Sequence, residues 1–308
     1  MLKRLSRPGL NLLTRFLQFF KYLNFKMLLR IVRRAAYHRL PGLSAEIAFN
    51  AMFALFPAAL AVLSAIGLFE LSENNFRTLT NQVSQVIPEQ AVILTTNTVQ
   101  YLRSRSSQSL FSLSFLAAIW VSSSVTGAAM AALDQIYGIS RDRVRPFWQM
   151  KLIAIALALG TVLLLVAALL VVILSDITVQ IVAFKSGSFA HVLFQIWHHL
   201  SLPIALSIVS IALGFIYRYG TSHWQHGRPI MPGAILAALL WAILSALLRF
   251  YVAQVGNFNQ VYGAIGAVIV LLLWLYFSAF SMLLGGLFNS VVGEAMQNKP
   301  KKIRQPLQ

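Results

Sequence analysis

Stretches free of Asp, Glu, Lys and Arg run along most of the chain, at 47–69, 106–133, 152–175, 186–217, 229–248 and 250–293. A bilayer core of about 30 Å is crossed by about 20 residues of α-helix. Five of these stretches each supply one span once their ends are trimmed. Only Arg249 separates the last two, and it reads as internal to a span rather than as a boundary. Pro232–Val255 reads as one helix, Gly256-Asn257-Phe258-Asn259 as a turn from its glycine and asparagine chemistry, and Gly263–Val292 as another helix. The pattern predicts six spans, near 45–69, 111–135, 151–174, 196–217, 231–254 and 263–292.

An even number of spans puts both chain ends on one side, and the basic residues agree. Residues 1–44, the connections after spans two and four, and the tail together hold 20 of the 25 Lys and Arg. The other face has Arg77, Arg103, Arg105 and Lys185. The positive-inside rule therefore predicts a multi-pass protein of the cell inner membrane with both termini cytoplasmic. The net charge of +17 reads as orientation plus contact with anionic lipids at the cytoplasmic face. It does not read as a nucleic-acid footprint, because the charges flank spans and show no RNA- or DNA-binding fold.

The expected organisation is a basic amphipathic segment at 1–44, a six-helix membrane domain at 45–293 and a basic tail at 294–308. Within residues 10–38, Asn11, Arg15, Gln18, Lys26, Arg30, Arg33 and Tyr37 fall on one side of a helical wheel. Leu13, Phe16, Leu17, Phe20, Leu23, Met27, Leu28 and Ile31 fall on the other. Such a helix either lies on the cytoplasmic leaflet or packs on the end of the bundle. Residues 70–110 carry Phe76, Leu79, Val83, Val86 and Ile87 at helical spacing, Pro88 as a stop and a second helical stretch at 89–102. They predict a small extracytoplasmic helical cap. The fold class is all-α.

Composition excludes a soluble domain. The 308 residues are 58% hydrophobic and 11% charged, with a mean hydropathy of +0.73; a soluble domain is about 25% charged. The chain has no cysteine, so no disulfide framework exists. Small residues at Ser122–Ser124, Gly127–Ala129, Gly263, Gly266, Ala267, Ser281, Gly285 and Gly286 mark helix–helix contacts. Pro57 and Pro203 fall inside spans, where each removes a backbone bond.

Polar groups inside hydrocarbon are costly and tend to face an interior or a cavity. Glu46, Asn50, Asp134, Arg249, Asn257, Tyr262 and Asn289 form the candidate lining of a polar cavity, with Gln254, Tyr276 and Glu294 nearby in sequence. No metal or other cofactor is expected. His198-His199 and His223-Trp-Gln-His226 are the histidine pairs; they belong to opposite faces and lack a neighbouring acid. No nucleophile elbow, P-loop or carboxylate cluster is present, so an enzyme is not expected.

Several segments resemble one family of bacterial membrane proteins. They are Ala45-Glu-Ile-Ala-Phe-Asn-Ala-Met-Phe-Ala-Leu-Phe-Pro57, Tyr137-Gly138 followed by Arg145-Pro-Phe-Trp148, and Gly214-Phe-Ile-Tyr-Arg-Tyr219. The most specific is Val261-Tyr-Gly-Ala-Ile-Gly-Ala-Val-Ile-Val-Leu-Leu-Leu-Trp-Leu-Tyr276, continued by Leu284-Gly-Gly-Leu-Phe-Asn289. Over residues 30–295 the chain is similar to the YihY/virulence factor BrkB family. It departs from the family pattern at Leu287, where an acid is common, and at Asn50 and Ala54. The resemblance implies a six-span protein of unestablished molecular function. It also brings an old ribonuclease label that the residues disfavour.

Transport, lipid handling or envelope maintenance through a polar cavity is the leading expectation. A non-transporting scaffold that binds envelope partners through 70–110 is the alternative, and a membrane-bound ribonuclease ranks below both. The substrate or partner and any homo-oligomer are not specified by the sequence.

Overall fold

A computed structural model describes residues 25–68, 108–164, 188–223, 230–254 and 258–297. Among them are seven α-helices, one short 3-10 helix at Arg141–Arg143 and no strand. The α-helices are α1 (Phe25–Tyr37), α2 (Leu40–Leu68), α3 (Gln108–Ile136), α4 (Phe147–Leu164), α5 (Ser188–Gly220), α6 (Met231–Gln254) and α7 (Phe258–Gln297). Helices α2 to α7 each contain a segment long and apolar enough to cross a bilayer. Residues 70–107 of the expected helical cap, 10–24 of the amphipathic stretch, 298–308 of the basic tail and residues 255–257 lie outside the described residues. Phe258 and Asn259, expected in a turn, open α7 instead; after residues 255–257 no glycine or proline interrupts a helical start there.

α7 is the central post. It packs against α1, α2, α3 and α6; α2 pairs with α3, and α5 with α6. At 40 residues it is about 60 Å long, twice the hydrocarbon thickness, so it must project beyond the membrane. The core gathers at one end, which also carries most of the described arginines and is called the basic end here. Leu40, Leu133, Ile136, Tyr217, Leu283, Leu287, Val291 and Val292 are buried together there.

Away from this core the helices expose large apolar side chains, among them Phe49, Phe53, Phe56, Leu163, Ile243, Leu247 and Ile265. In water such a surface would aggregate; in hydrocarbon it costs nothing, because lipid tails are as apolar as leucine. α4 exposes Leu152, Val162 and Leu163 and buries Ala154, the profile of a peripheral, lipid-facing helix.

Hydroxyls inside the spans are satisfied on their own helices. Ser44, Thr161, Ser207, Ser210 and Ser281 each donate to the backbone carbonyl four residues earlier. α2 and α5 continue through Pro57 and Pro203. Helices α6 and α7 form an antiparallel hairpin with an unbroken register. Trp241 Nε1–H donates to Ser278 Oγ at 3.0 Å, and Trp274 Nε1–H to Ser245 Oγ at 3.1 Å. Each indole thus finds its acceptor on the opposite helix.

Candidate functional site

The polar chemistry of the described residues concentrates at the basic end, where chain reversals leave helix termini with unpaired backbone groups. α3 ends at Ile136, and Gly138 follows with φ +66°. Ile139 N–H bonds Asp134 O at 3.0 Å and Gly138 N–H bonds Gln135 O at 3.2 Å. This is a Schellman stop, and glycine takes the left-handed position without a Cβ penalty. The stop leaves the Asp134 side chain, in the last turn of α3, beside the end of α5. Its Oδ1 accepts from Ser222 N–H at 2.7 Å and its Oδ2 from Ser222 Oγ–H. Arg145 completes the joint, with Nη1 donating to Tyr219 O at 2.9 Å. A cation is favoured there by the negative end of the α5 dipole.

A second joint starts α6. Asn289, fully buried on α7, accepts from Gly233 N–H through Oδ1 at 2.8 Å and donates through Nδ2 to Ile230 O at 2.8 Å. Gly233 and Gly285 cross here backbone to backbone: a Cβ on either would strike the other's carbonyl oxygen. Beside them Tyr217 O–H donates to Met282 O at 2.6 Å, joining α5 to α7.

The third joint holds α1. Arg34 Nη1 and Nη2 donate to Glu294 Oε1 and Oε2 at 2.8 and 2.6 Å, a bidentate pair with both side chains one-third exposed. Glu294 stands near the C-terminal end of α7, where its charge opposes the dipole, so Arg34 offsets an unfavourable placement. In this setting the pair contributes about 1 kcal/mol. His38, in the turn after α1, is held below the usual histidine value near 6.5, first by burial and then by the positive charge of Arg34, with Glu294 opposing. The fold therefore favours neutral imidazole. That contribution is present above about pH 6.5 and is lost as pH falls through the lowered folded value. A spin probe at Arg33→Cys is expected to gain mobility as pH falls below the ordinary histidine range, and His38→Gln is expected to flatten that response. An unchanged profile in the His38 variant would refute the assignment.

The five described sequence-derived candidates do not all meet at one place. Asp134 and Asn289 share the basic-end layer, where Leu133 borders Gly286 and Ser290 Oγ–H donates to Ile136 O. Both serve the backbone of other helices. Glu46 and Asn50 share one face of α2; Glu46 is exposed, and Asn50 Nδ2 donates to the Glu46 backbone carbonyl at 2.9 Å. Arg249 is exposed on α6, about 24 Å along the helix from Gly233. Asn257 and the Tyr262 side chain lie outside the described residues. No group of three metal-ligating residues occurs among the described residues.

Ser222, Arg34 and Gly233 take part in these joints without having been singled out. Arg34 had a visible signal: it falls outside the arc shared by Arg30, Arg33 and Tyr37. Lys151 is a further case. Its ammonium lies 4.3 Å over the Trp120 ring and donates to Trp120 O and Ser124 Oγ at 3.2 and 3.4 Å, anchoring α4 to α3.

A family profile described as virulence factor BrkB matches residues 31–307. A protein of Bacillus subtilis (strain 168) named as ribonuclease-like, YfkH, is 26% identical over 270 residues, covering 88% of this chain and 94% of its own. A UPF0761 membrane protein of Tolumonas auensis is 26% identical over 292 residues, covering 89% and 87%. A UPF0761 membrane protein of Xanthomonas campestris pv. campestris (strain 8004) is 36% identical over 104 residues, 34% of this chain and 24% of its own. No solved structure matches the chain.

Proposed function

The chain belongs to the virulence factor BrkB family, a family of membrane proteins without an established molecular activity, and from that premise we propose that it handles the lipid of its own membrane. The observation that carries this reading is a groove of about 280 Å³ between α5 and α6, lined by Leu206, Ser207, Ser210, Ile211, Met231, Ile235, Ala238 and Leu239. The groove is open rather than enclosed, and its lining is mostly apolar. The Ser207 and Ser210 protons are committed to their own helix, leaving only weak acceptors toward the groove. That chemistry suits an acyl chain and offers little to a hydrated ion.

The polar residues of the basic end support the same reading from the other side. Asp134, Asn289 and Glu294 are engaged in holding helix ends together, which leaves them poorly placed to line a hydrated path. The same engagement argues against a ribonuclease, whose chemistry needs carboxylates converging on one phosphate. The charge distribution supports an inner-membrane placement with both termini in the cytoplasm.

The test is lipid and solute movement in proteoliposomes. The parent is expected to move a fluorescent phospholipid between leaflets faster than empty vesicles do, without releasing a trapped solute. Ile235→Trp, which fills the groove from a half-exposed wall, is expected to slow the lipid severalfold. Lipid movement at the empty-vesicle rate, or solute release abolished by Glu46→Gln and Asn289→Ala, would overturn the reading.

A further inference from the structure

α1 has three faces, not two. At about 100° per residue, Met27, Ile31 and Arg34 share the side that meets the bundle; the first two are buried in the core and the third is paired with Glu294. Arg30, Arg33 and Tyr37 share a second, exposed side. Phe25, Leu28, Leu29 and Val32 share a third, and these four are 75%, 57%, 55% and 60% exposed. Packing on α7 therefore uses only part of the apolar surface, and the remainder lies directly beside the arginines.

The position of α1 limits what can cover that third face. Only His38 and Arg39 separate α1 from α2, which enters the apolar layer, so the C-terminal end of α1 lies at the membrane surface. Arg39 is exposed and has φ +53°, the one described non-glycine residue in the left-handed region. Glycine would fill that turn without strain. A strained residue kept at a surface turn points to a use for its side chain.

We propose that α1 is a lipid-docking helix. Phe25, Leu28, Leu29 and Val32 enter the acyl boundary of the leaflet at the basic end, and Arg30, Arg33 and Arg39 hold anionic phospholipid headgroups. Apolar surface at the boundary flanked by guanidinium groups that reach up to phosphates is the arrangement of an interfacial helix. The Arg34–Glu294 pair fixes its rotation, so the apolar face stays directed at the leaflet and the bundle contact is kept. This docking does not depend on the α5–α6 groove, and the experiments below can fail without touching the lipid-movement assay.

The natural absence of cysteine makes single spin labels clean reporters on the full-length protein in vesicles of phosphatidylcholine with phosphatidylglycerol. Labels at Leu28→Cys and Val32→Cys are expected to relax with oxygen, which concentrates in hydrocarbon, and not with a water-soluble nickel complex. A label at Arg33→Cys is expected to do the reverse. Relaxation of the first two by nickel would place the face in water. Relaxation by neither reagent would place it under protein, whether residues 1–24, a second copy or a cytoplasmic partner. Either outcome overturns the proposal.

The headgroup half is read from phosphatidylglycerol retained on the detergent-purified protein. Loss of one arginine, by Arg30→Gln or Arg33→Gln, is expected to weaken retention about fivefold; unchanged retention in the double variant would overturn it. Arg39→Gly separates binding from folding. It is expected to lower retention while leaving the thermal midpoint unchanged or higher. A lower midpoint with full retention would make Arg39 a purely structural residue and remove it from the site.

Discussion

Gly285→Ala is expected to be, with Gly233→Ala, the most damaging glycine-to-alanine change among the described residues, costing about 3 kcal/mol or more of stability in detergent. The added Cβ would meet the Gly233 carbonyl oxygen well inside contact distance, with the Tyr217 hydroxyl at 2.6 Å and the Ala237 Cβ at 2.7 Å. A backbone carbonyl cannot rotate away as a side chain can, so α6 and α7 would have to separate. Separation would also strain the Tyr217 bond to Met282 and both Asn289 bonds. Gly233→Ala meets the same obstacle from the opposite helix. Gly286→Ala meets the terminal Cδ2 of Leu133 at 2.7 Å, a group that can shift, and is expected to cost about 1 kcal/mol. Gly127→Ala and Gly160→Ala meet nothing within 4 Å; alanine's helix preference should leave them neutral or slightly stabilised. Thermal unfolding of the five variants followed by tryptophan fluorescence checks the order. Equal midpoints for Gly285→Ala and Gly127→Ala would refute the crossing.

The spans were legible because hydrocarbon imposes a pattern that needs no partner to be read. The start of α6, at Met231, was legible to within a residue, since Pro232 suits the first turn of a helix. The ends beyond the membrane were less legible. α2 starts at Leu40 rather than near 45, because a helix accepts Pro41 in its first turn while the charge-free pattern registers only the stretch beyond Glu46. α7 runs to Gln297 rather than 292, because a helix continues into water while hydropathy registers only its buried stretch.

The use of the polar residues could not be read at all. Asp134, Asn289 and Glu294 stand out as costly groups in or near lipid, and cost alone fits a cavity lining as well as a joint. What separates the two is the identity of the partner. Ser222 lies 88 positions from Asp134, and Arg34 260 positions from Glu294; no local pattern links residues so far apart. Arg34 gave a partial signal by leaving the polar arc of α1, as a charge does when its partner sits on the packed side. Gly233 gave none, since within Pro232–Val255 it reads as one more residue of a helix.

Asn289→Leu is the second change with a large expected effect, and its mechanism can be tested by rescue. α6 begins at Met231, so the flanking position belongs to Ile230. Isoleucine has no side-chain acceptor and is among the poorest helix caps. The bond a capping asparagine would make to the third N–H of its own helix is made instead by Asn289 from α7, on Gly233 N–H. Ile230 O also accepts from Ala234 N–H at 3.2 Å, so it keeps one partner when Asn289 is lost; Gly233 N–H loses the acceptor it has on α7. Leucine keeps the branched outline at a larger volume, strands that buried donor, at about 1–3 kcal/mol, and removes the second bond, at about 1 kcal/mol. If Asn289 acts as a cap borrowed from another helix, a local cap should restore part of the loss. Ile230→Thr in the Asn289→Leu background is expected to recover about 1 kcal/mol, and to gain nothing in the parent, where the donor is already satisfied. Recovery of the same size in both backgrounds would show that threonine acts independently of Asn289, and the borrowed cap would be refuted.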